Sequence, residues 1–324
     1  MIFLILKKEK KMDGDNNERI SKAKIAYRKL SKDNIQSIYQ LFENNSRFFS
    51  IPFDYFQRGT LDDDGLDQNL SLILFNLETN KPIAAFIIVK REEINENHCF
   101  FKGCVVDKQY RRQGLGSKMF FEFIRRAKEK EITQVIYGPS VPEFWQPGVD
   151  IRNISLYFFF KKHGFKSHKA IFNLTVSLDT IKNEPASKKG GYKYARVHPK
   201  DFDETFDFVK QHFPDGTWPE EVKISFKLNP PTTFIAKDAK NEIVGWATHS
   251  LYFPSSFGPT GVDGSLRGKR IGTELLLWCL WDIKQNGFDT CEIMWVGGDT
   301  VKFYSKVIEA YISPIFYPMY KKIR

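Results

Sequence analysis

One loop occurs twice in this chain, and its recurrence limits the folds open to it more than any other feature. The first copy reads Val105-Val106-Asp107, then Tyr110-Arg111-Arg112-Gln113-Gly114-Leu115-Gly116-Ser117. The second reads Gly261-Val262-Asp263, then Leu266-Arg267-Gly268-Lys269-Arg270-Ile271-Gly272-Thr273. Their last glycines, Gly116 and Gly272, are 156 residues apart in a chain of 324, so each copy has room for a domain of ordinary size.

The surroundings repeat as well. Before the first loop, residues 70–76, 83–89 and 99–106 read as strands, with a turn over Glu78-Thr79-Asn80-Lys81-Pro82. After it, residues 117–130 carry Met119, Phe120, Phe123, Ile124 and Ala127 at helical spacing. Before the second loop, residues 233–237, 242–250 and 257–262 read as strands, and 273–285 follow as a helix. The expected fold is therefore α/β, a mixed sheet flanked by helices, built twice. Residues 183–191 (Asn-Glu-Pro-Ala-Ser-Lys-Lys-Gly-Gly) have linker composition. The division expected is a loose extension over 1–21, one domain over 22–182, a linker over 183–191 and a second domain over 192–324.

A loop that leaves a strand and opens a helix points several unpaired amides one way, and the helix dipole adds about half a positive charge there. Such a loop attracts phosphate. Glycines let the backbone approach an anion and take positive φ, and arginine or lysine supplies mobile charge. Composition agrees: a net charge of +10 favours an anionic partner, and 42% hydrophobic with 15% aromatic residues indicates globular cores. The basic residues are scattered, so no helix reads as a nucleic-acid recognition face. Ile2 to Leu6 is too short to cross a membrane. Cys99, Cys104, Cys279 and Cys291 show neither metal-ligand nor disulfide spacing and read as reduced core thiols of a cytoplasmic protein; the six histidines form no ligand-like pair, so no metal is expected.

Arg111-x-x-Gly114-x-Gly116 between a strand and a helix resembles the signature of the GNAT superfamily of N-acetyltransferases, Arg/Gln-x-x-Gly-x-Gly/Ala. The resemblance implies two tandem GNAT-type domains and acetyl-CoA as co-substrate. Its pyrophosphate would lie on Arg111, Arg112, Gln113, Gly114, Leu115, Gly116 and Ser117, with Val106 ending the strand beside the acetyl group. In the second copy the corresponding residues are Val262, Arg267, Gly268, Lys269, Arg270, Ile271, Gly272 and Thr273, where Arg270 replaces the first motif glycine at an expected cost of about 1–2 kcal/mol if φ is positive there.

The family also places a tyrosine, the proton donor to the departing thiolate, four residues before a Gly-Phe pair. Here Phe160 stands there in the first half, before Gly164-Phe165, and Tyr157 reads as a packing aromatic. In the second half Phe303-Tyr304-Ser305-Lys306 matches the family's run, which makes Tyr304 the candidate acid. Asp299, after Trp295-Val296-Gly297-Gly298, is a candidate base, weighed against a plain helix cap. Residues 141–150 form an aromatic loop where an acceptor would bind, a packed loop or a platform for a sugar ring with Asp150 or Glu143 near the amine.

These residues resemble those of bacterial two-domain GNAT proteins, including glucosamine- and glucosaminide-type acetyltransferases. The reading is direct acetyl transfer to a primary amine of a small molecule, an amino sugar among the candidates, with chemistry in the second half and no nucleic-acid or membrane partner. The alternative is a non-catalytic acyl-CoA sensor or partner module with degenerate domains.

Overall fold

The computed structural model describes residues 24–48, 51–92, 94–141, 143–214, 217–297 and 300–323. The extension expected over 1–21 lies outside the described residues. Two mixed sheets organise the chain. The seven-stranded sheet contains β1 (Ile25–Arg28), β2 (Leu72–Asn76), β3 (Lys81–Lys90), β4 (His98–Val106), β5 (Gln134–Tyr137), β7 (Lys166–Ser167) and β16 (Met319–Lys322), in the order β1-β2-β3-β4-β5-β16-β7. The nine-stranded sheet contains β6 (Val149–Asp150), β8 (Ile171–Ser177), β9 (Lys188–Lys189), β10 (Tyr192–Arg196), β11 (Thr233–Lys237), β12 (Ile243–His249), β13 (Ser256–Val262), β14 (Thr290–Val296) and β15 (Ala310–Tyr317), in the order β6-β15-β8-β14-β13-β12-β11-β10-β9.

The central strands β2 and β3 of the first sheet are buried along most of their length because helices cover both faces. Alternation divides their side chains between two cores. Leu72, Leu74, Phe86 and Ile88 face α3 (Leu115–Glu129), whose Leu115, Met119, Phe120, Phe123 and Ala127 form the buried stripe. Ile73, Phe75, Ala85 and Ile87 face α1 (Ile35–Asn45) and α2 (Phe53–Arg58). The second sheet repeats the plan. Phe234, Ala236 and Val244 face α7 (Ile271–Gln285), while Ile235, Ile243 and Trp246 face α5 (Phe202–His212) and α6 (Trp218–Lys227). α4 (Ile154–Lys162) and α8 (Thr300–Val307) complete the eight α-helices of the described residues.

The sheets do not follow the division expected at 183–191. β6 and β8, within 22–182, run in the nine-stranded sheet, and β16, the last strand of the chain, is inserted between β5 and β7 of the other. Part of the expected linker is itself a strand, Lys188–Lys189, paired with β10. Leu174 and Val176 of β8 are buried in the second core, and Met319 of β16 in the first. An apolar run announces a strand; long-range packing chooses its neighbour.

Each sheet holds one parallel pair among the strands around its loop. β4 and β5 pair from His98↔Gln134 to Phe101↔Tyr137 and then part. β13 and β14 pair only at Ser256↔Glu292 and Phe257↔Ile293. Beyond these points the edges of β4 and β13 face an opening, and the repeated loop follows at the strand end.

Candidate active site

The two loops share a backbone design. Asp107 and Asp263 each accept a hydrogen bond from the amide two residues on, Gln109 N and Ser265 N, both at 2.8 Å. Two left-handed residues follow in each: Arg112 (φ 63°) and Gly114 (φ 78°), then Gly268 (φ 84°) and Arg270 (φ 66°). Arginine and glycine have exchanged places, so the substitution at Arg270 leaves the turn intact, and each loop carries one arginine in a conformation that disfavours a Cβ. Gly114 and Arg270 cap α3 and α7. The first intrahelical bonds of α3 and α7 beyond the caps run from Lys118 N to Gly114 O (3.0 Å) and from Glu274 N to Arg270 O (3.1 Å). The amides of Leu115, Gly116 and Ser117, and of Ile271, Gly272 and Thr273, precede those ladders and suit an anion.

The side chains of these residues take different parts. Leu115 and Ile271 are buried in the cores, leaving only their backbones for a ligand. Arg111 donates from Nε to Val106 O at 2.8 Å and also to Asn45 O, tying the end of β4 to the end of α1. Gln113 is buried and donates to Gln109 O at 2.9 Å. Ser117 Oγ lies 3.0 Å from His163 Nε2. Arg112, Arg267, Lys269 and Arg270 are exposed, Thr273 is buried, and Val262 Cγ2 would stand 3.5 Å from a Cβ on Gly272. A pyrophosphate fits both loops through the amides and these exposed cations.

A small cavity of about 40 Å³ lies where β4 and β5 part, lined by Lys102, Cys104, Tyr137, Trp145, Asp150 and Asn153 among others. Lys102 is fully buried and paired with Asp63, which also binds Arg91 at 2.7 Å. Burial lowers the Lys102 ammonium to about 8, against the pull of Asp63. The Asp63 carboxyl, although penalised by burial, is held below its ordinary value by Arg91 and Lys102. Asp150 is buried and receives Arg152 at 2.6 Å. Burial pushes the Tyr137 hydroxyl far up, with Cys104 and Asp150 adding to it, so the phenol stays protonated. Trp145 is covered on one face by Phe56, stacked at 4.9 Å, and meets Phe42 edge-on at 5.8 Å. It packs the wall, and its ring is not an open platform. Glu143 is paired with Arg58 at 2.6 Å, away from this cavity's lining. Lys102, Tyr137 and Cys104 were not singled out from sequence as site residues, because Cys104 reads as a core thiol and Lys102 and Tyr137 belong to no motif.

In the second half aromatic rings pack around the corresponding strands. The ring of Phe213 lies where a Cβ on Gly261 would be, 2.3 Å away, and so takes the room that the Val105 side chain fills in the first half. Phe144, from the first half's loop, packs on Tyr252 at 4.6 Å and Trp295 at 5.6 Å. Tyr304 is 7% exposed and belongs to the second core, edge-on to Phe257 at 6.3 Å. Phe160 stands edge-on to Phe101 at 5.4 Å in the first core. The two rings occupy equivalent core positions, where burial raises the Tyr304 hydroxyl well above its ordinary value. Asp299 lies outside the described residues. A wider cleft of about 1110 Å³ between the halves is lined by none of the loop residues.

A sequence model of the acetyltransferase (GNAT) family matches residues 35–143. No curated protein sequence matches the chain. Solved structures match over nearly its whole length. A fungal multi-domain protein with a GCN5-related glucosamine N-acetyltransferase region aligns over 92% of this chain at 16% identity and a TM-score of 0.72; the chain spans 38% of that protein. A GCN5-related N-acetyltransferase from Sphaerobacter thermophilus aligns over 93% of this chain and 96% of its own, at 16% identity and TM-score 0.66. A tandem GNAT protein from the clavulanic acid biosynthesis pathway aligns over 93% and 99%, at 12% identity and TM-score 0.68. No described helix is long and apolar enough to cross a membrane. The chain thus has the tandem GNAT fold, and its residues 35–143 match the model of the acetyltransferase (GNAT) family.

Proposed function

We propose that the protein is an acetyl-CoA-dependent N-acetyltransferase that moves the acetyl group directly to a primary amine of a small molecule, with chemistry at the first half's opening. The observation that carries this reading is the cavity at the parting of β4 and β5, next to a loop with the complete Arg-x-x-Gly-x-Gly pattern. The motifs alone favour the second half; the core position of Tyr304 and the cavity beside the complete loop favour the first.

Acetyl-CoA would supply the activated thioester. The amides of residues 115–117 and the Arg112 guanidinium hold its phosphates. Arg111, through Val106 O and Asn45 O, fixes the strand end against the end of α1. Past Phe101 the β4 edge has no strand across from it, so its outward amides are available to an oxyanion. Asp150 orients the acceptor ammonium and accepts its proton or passes it to water. Tyr137, neutral at working pH, donates a hydrogen bond to the departing sulfur. The glucosamine N-acetyltransferase region of the fungal structural neighbour makes amino sugars the first acceptors to try.

The test is thiol release from acetyl-CoA by the whole protein with amino sugars, polyamines, aminoglycosides and peptides. Acceptor-dependent release that drops with Asp150→Asn supports the reading. Tight acetyl-CoA binding without release on any amine overturns it in favour of the acyl-CoA sensor.

A further inference from the structure

We propose that Glu221, on α6, is the carboxylate of a second amine-binding site, which takes a primary ammonium between α6 and Tyr252 where the two halves meet. This site stands apart from the chemistry assigned to the first half and concerns binding alone.

One buried carboxylate, that of Glu221, has no cation beside it among the described residues. Other enclosed carboxylates among the described residues have a cation: Asp63 has Arg91 at 2.7 Å, Asp150 has Arg152 at 2.6 Å, Glu274 has Lys189 at 2.8 Å, and Asp282 has Arg196 together with His249. Glu221, 2% exposed, forms no salt bridge among the described residues, and its Oε2 has no hydrogen-bond partner. Its polar neighbours are the Tyr252 hydroxyl and Thr217, both neutral. A buried carboxylate without a cation is costly, so the group either stays protonated or meets a cation that the described residues do not supply. Burial raises it to about 8, which describes the ligand-free state.

Its location offers a route for such a cation. Glu220, Ile224 and Lys227 of the same helix line the cleft of about 1110 Å³ between the halves, and Arg58 and Glu143 line it too. Glu143 is the other charged group that bears on Tyr252, and Arg58 pairs with it at 2.6 Å. The Tyr252 ring packs with Phe144 and Met294, and Met294 follows the last β13–β14 pair. A primary ammonium has three donors to offer and finds acceptors in Glu221 Oε2, the Tyr252 oxygen and Glu143. A neutral amide supplies no charge to this position.

Calorimetric titration of the full chain at pH 7, in two buffers of different ionisation enthalpy, tests the proposal with glucosamine and putrescine as probes and N-acetylglucosamine as the neutral control. Binding of an ammonium ionises Glu221, so the wild type should release close to one proton per amine bound. Glu221→Gln should abolish that release and weaken binding about tenfold or more. Asp150→Asn should leave the release in place. Tyr252→Phe keeps the ring against Phe144 and should weaken binding while retaining the release, which serves if Glu221→Gln fails to fold. Whether glucosamine or putrescine binds more tightly identifies the site as one for amino sugars or for alkyl amines. No amine binding by the wild type, or unchanged affinity and proton release in Glu221→Gln, overturns the proposal. Amine binding with proton release in a protein that never cleaves acetyl-CoA upholds it and overturns the transferase reading instead.

Discussion

An arginine held at positive φ stores conformational energy that a glycine at the same place does not, and the two loops give a matched comparison. Gly114 and Arg270 occupy aligned positions at φ 78° and 66°. Arg270→Gly should therefore stabilise the protein by about 1 kcal/mol, and Gly114→Ala, where a Cβ would meet nothing within 4 Å, should destabilise it by about 1–2 kcal/mol. Urea denaturation reads both, and a loss of stability in Arg270→Gly would mean that the side chain holds the loop. Glu221 makes a second prediction at this scale. Its carboxyl titrates near 8 in the fold and near 4.5 unfolded, so between those values the unfolded chain has given up its proton and the folded chain has not. Wild-type stability should fall as pH rises through that window, by at most about 1.4 kcal/mol per unit, relative to Glu221→Gln. Denaturation at pH 5 and 7.5 checks it; a constant difference would mean that Glu221 is ionised in the fold.

Single elements explain what could be read from the chain and what could not. The strand, loop and helix around each motif were legible because their signals are local: apolar runs, an Asp turn, glycines at left-handed positions and a 3.6-residue stripe. β11 falls on Thr233–Lys237 as expected, and β4 begins one residue before the expected Cys99. Lys102 was not legible. In His98–Val106 it reads as an outward-facing lysine, and only Asp63 and Arg91, brought in from other elements, allow it to be buried. Tyr304 matched its motif in sequence, yet the helix that carries it turns the ring into the core beside Phe257. The Asp63 cluster yields a prediction for the segment after α2. Asp63→Asn leaves Lys102 and Arg91 buried without their counter-charge and should cost about 3–5 kcal/mol at neutral pH. Because the folded carboxyl is held below its ordinary value, that stabilisation is present above the unfolded value and is lost as pH falls through the folded one. Acid titration of stability should show a steeper loss in the wild type than in Asp63→Asn; parallel curves would remove the cluster from the energetics.

At the scale of the whole molecule the exchange of strands makes each half depend on the other's chain. β16 forms four register pairs with β5, Met319↔Tyr137 to Lys322↔Gln134, and two with β7. Tyr137 lines the small cavity, so the last strand of the chain supports a residue of the candidate site in the first half. Without β16, β5 and β7 lose the partner that joins them, and Met319 leaves a gap in a core where it is fully buried. Loss of a buried methionine alone costs about 2–5 kcal/mol, and the exposed strand edges invite association. Residues 22–182, expressed alone, should therefore fail to fold cooperatively although they contain the complete loop. The full chain ended at residue 317 should keep the second sheet, lose protection against hydrogen exchange at residues 134–137, and bind acetyl-CoA more weakly. The informative comparison is exchange in β5 against exchange in β11, which lies in the other sheet and serves as the internal reference. Selective loss in β5 would establish that the C-terminal strand holds the first site together; equal protection in the truncated and full chains would show that the first half is complete without it.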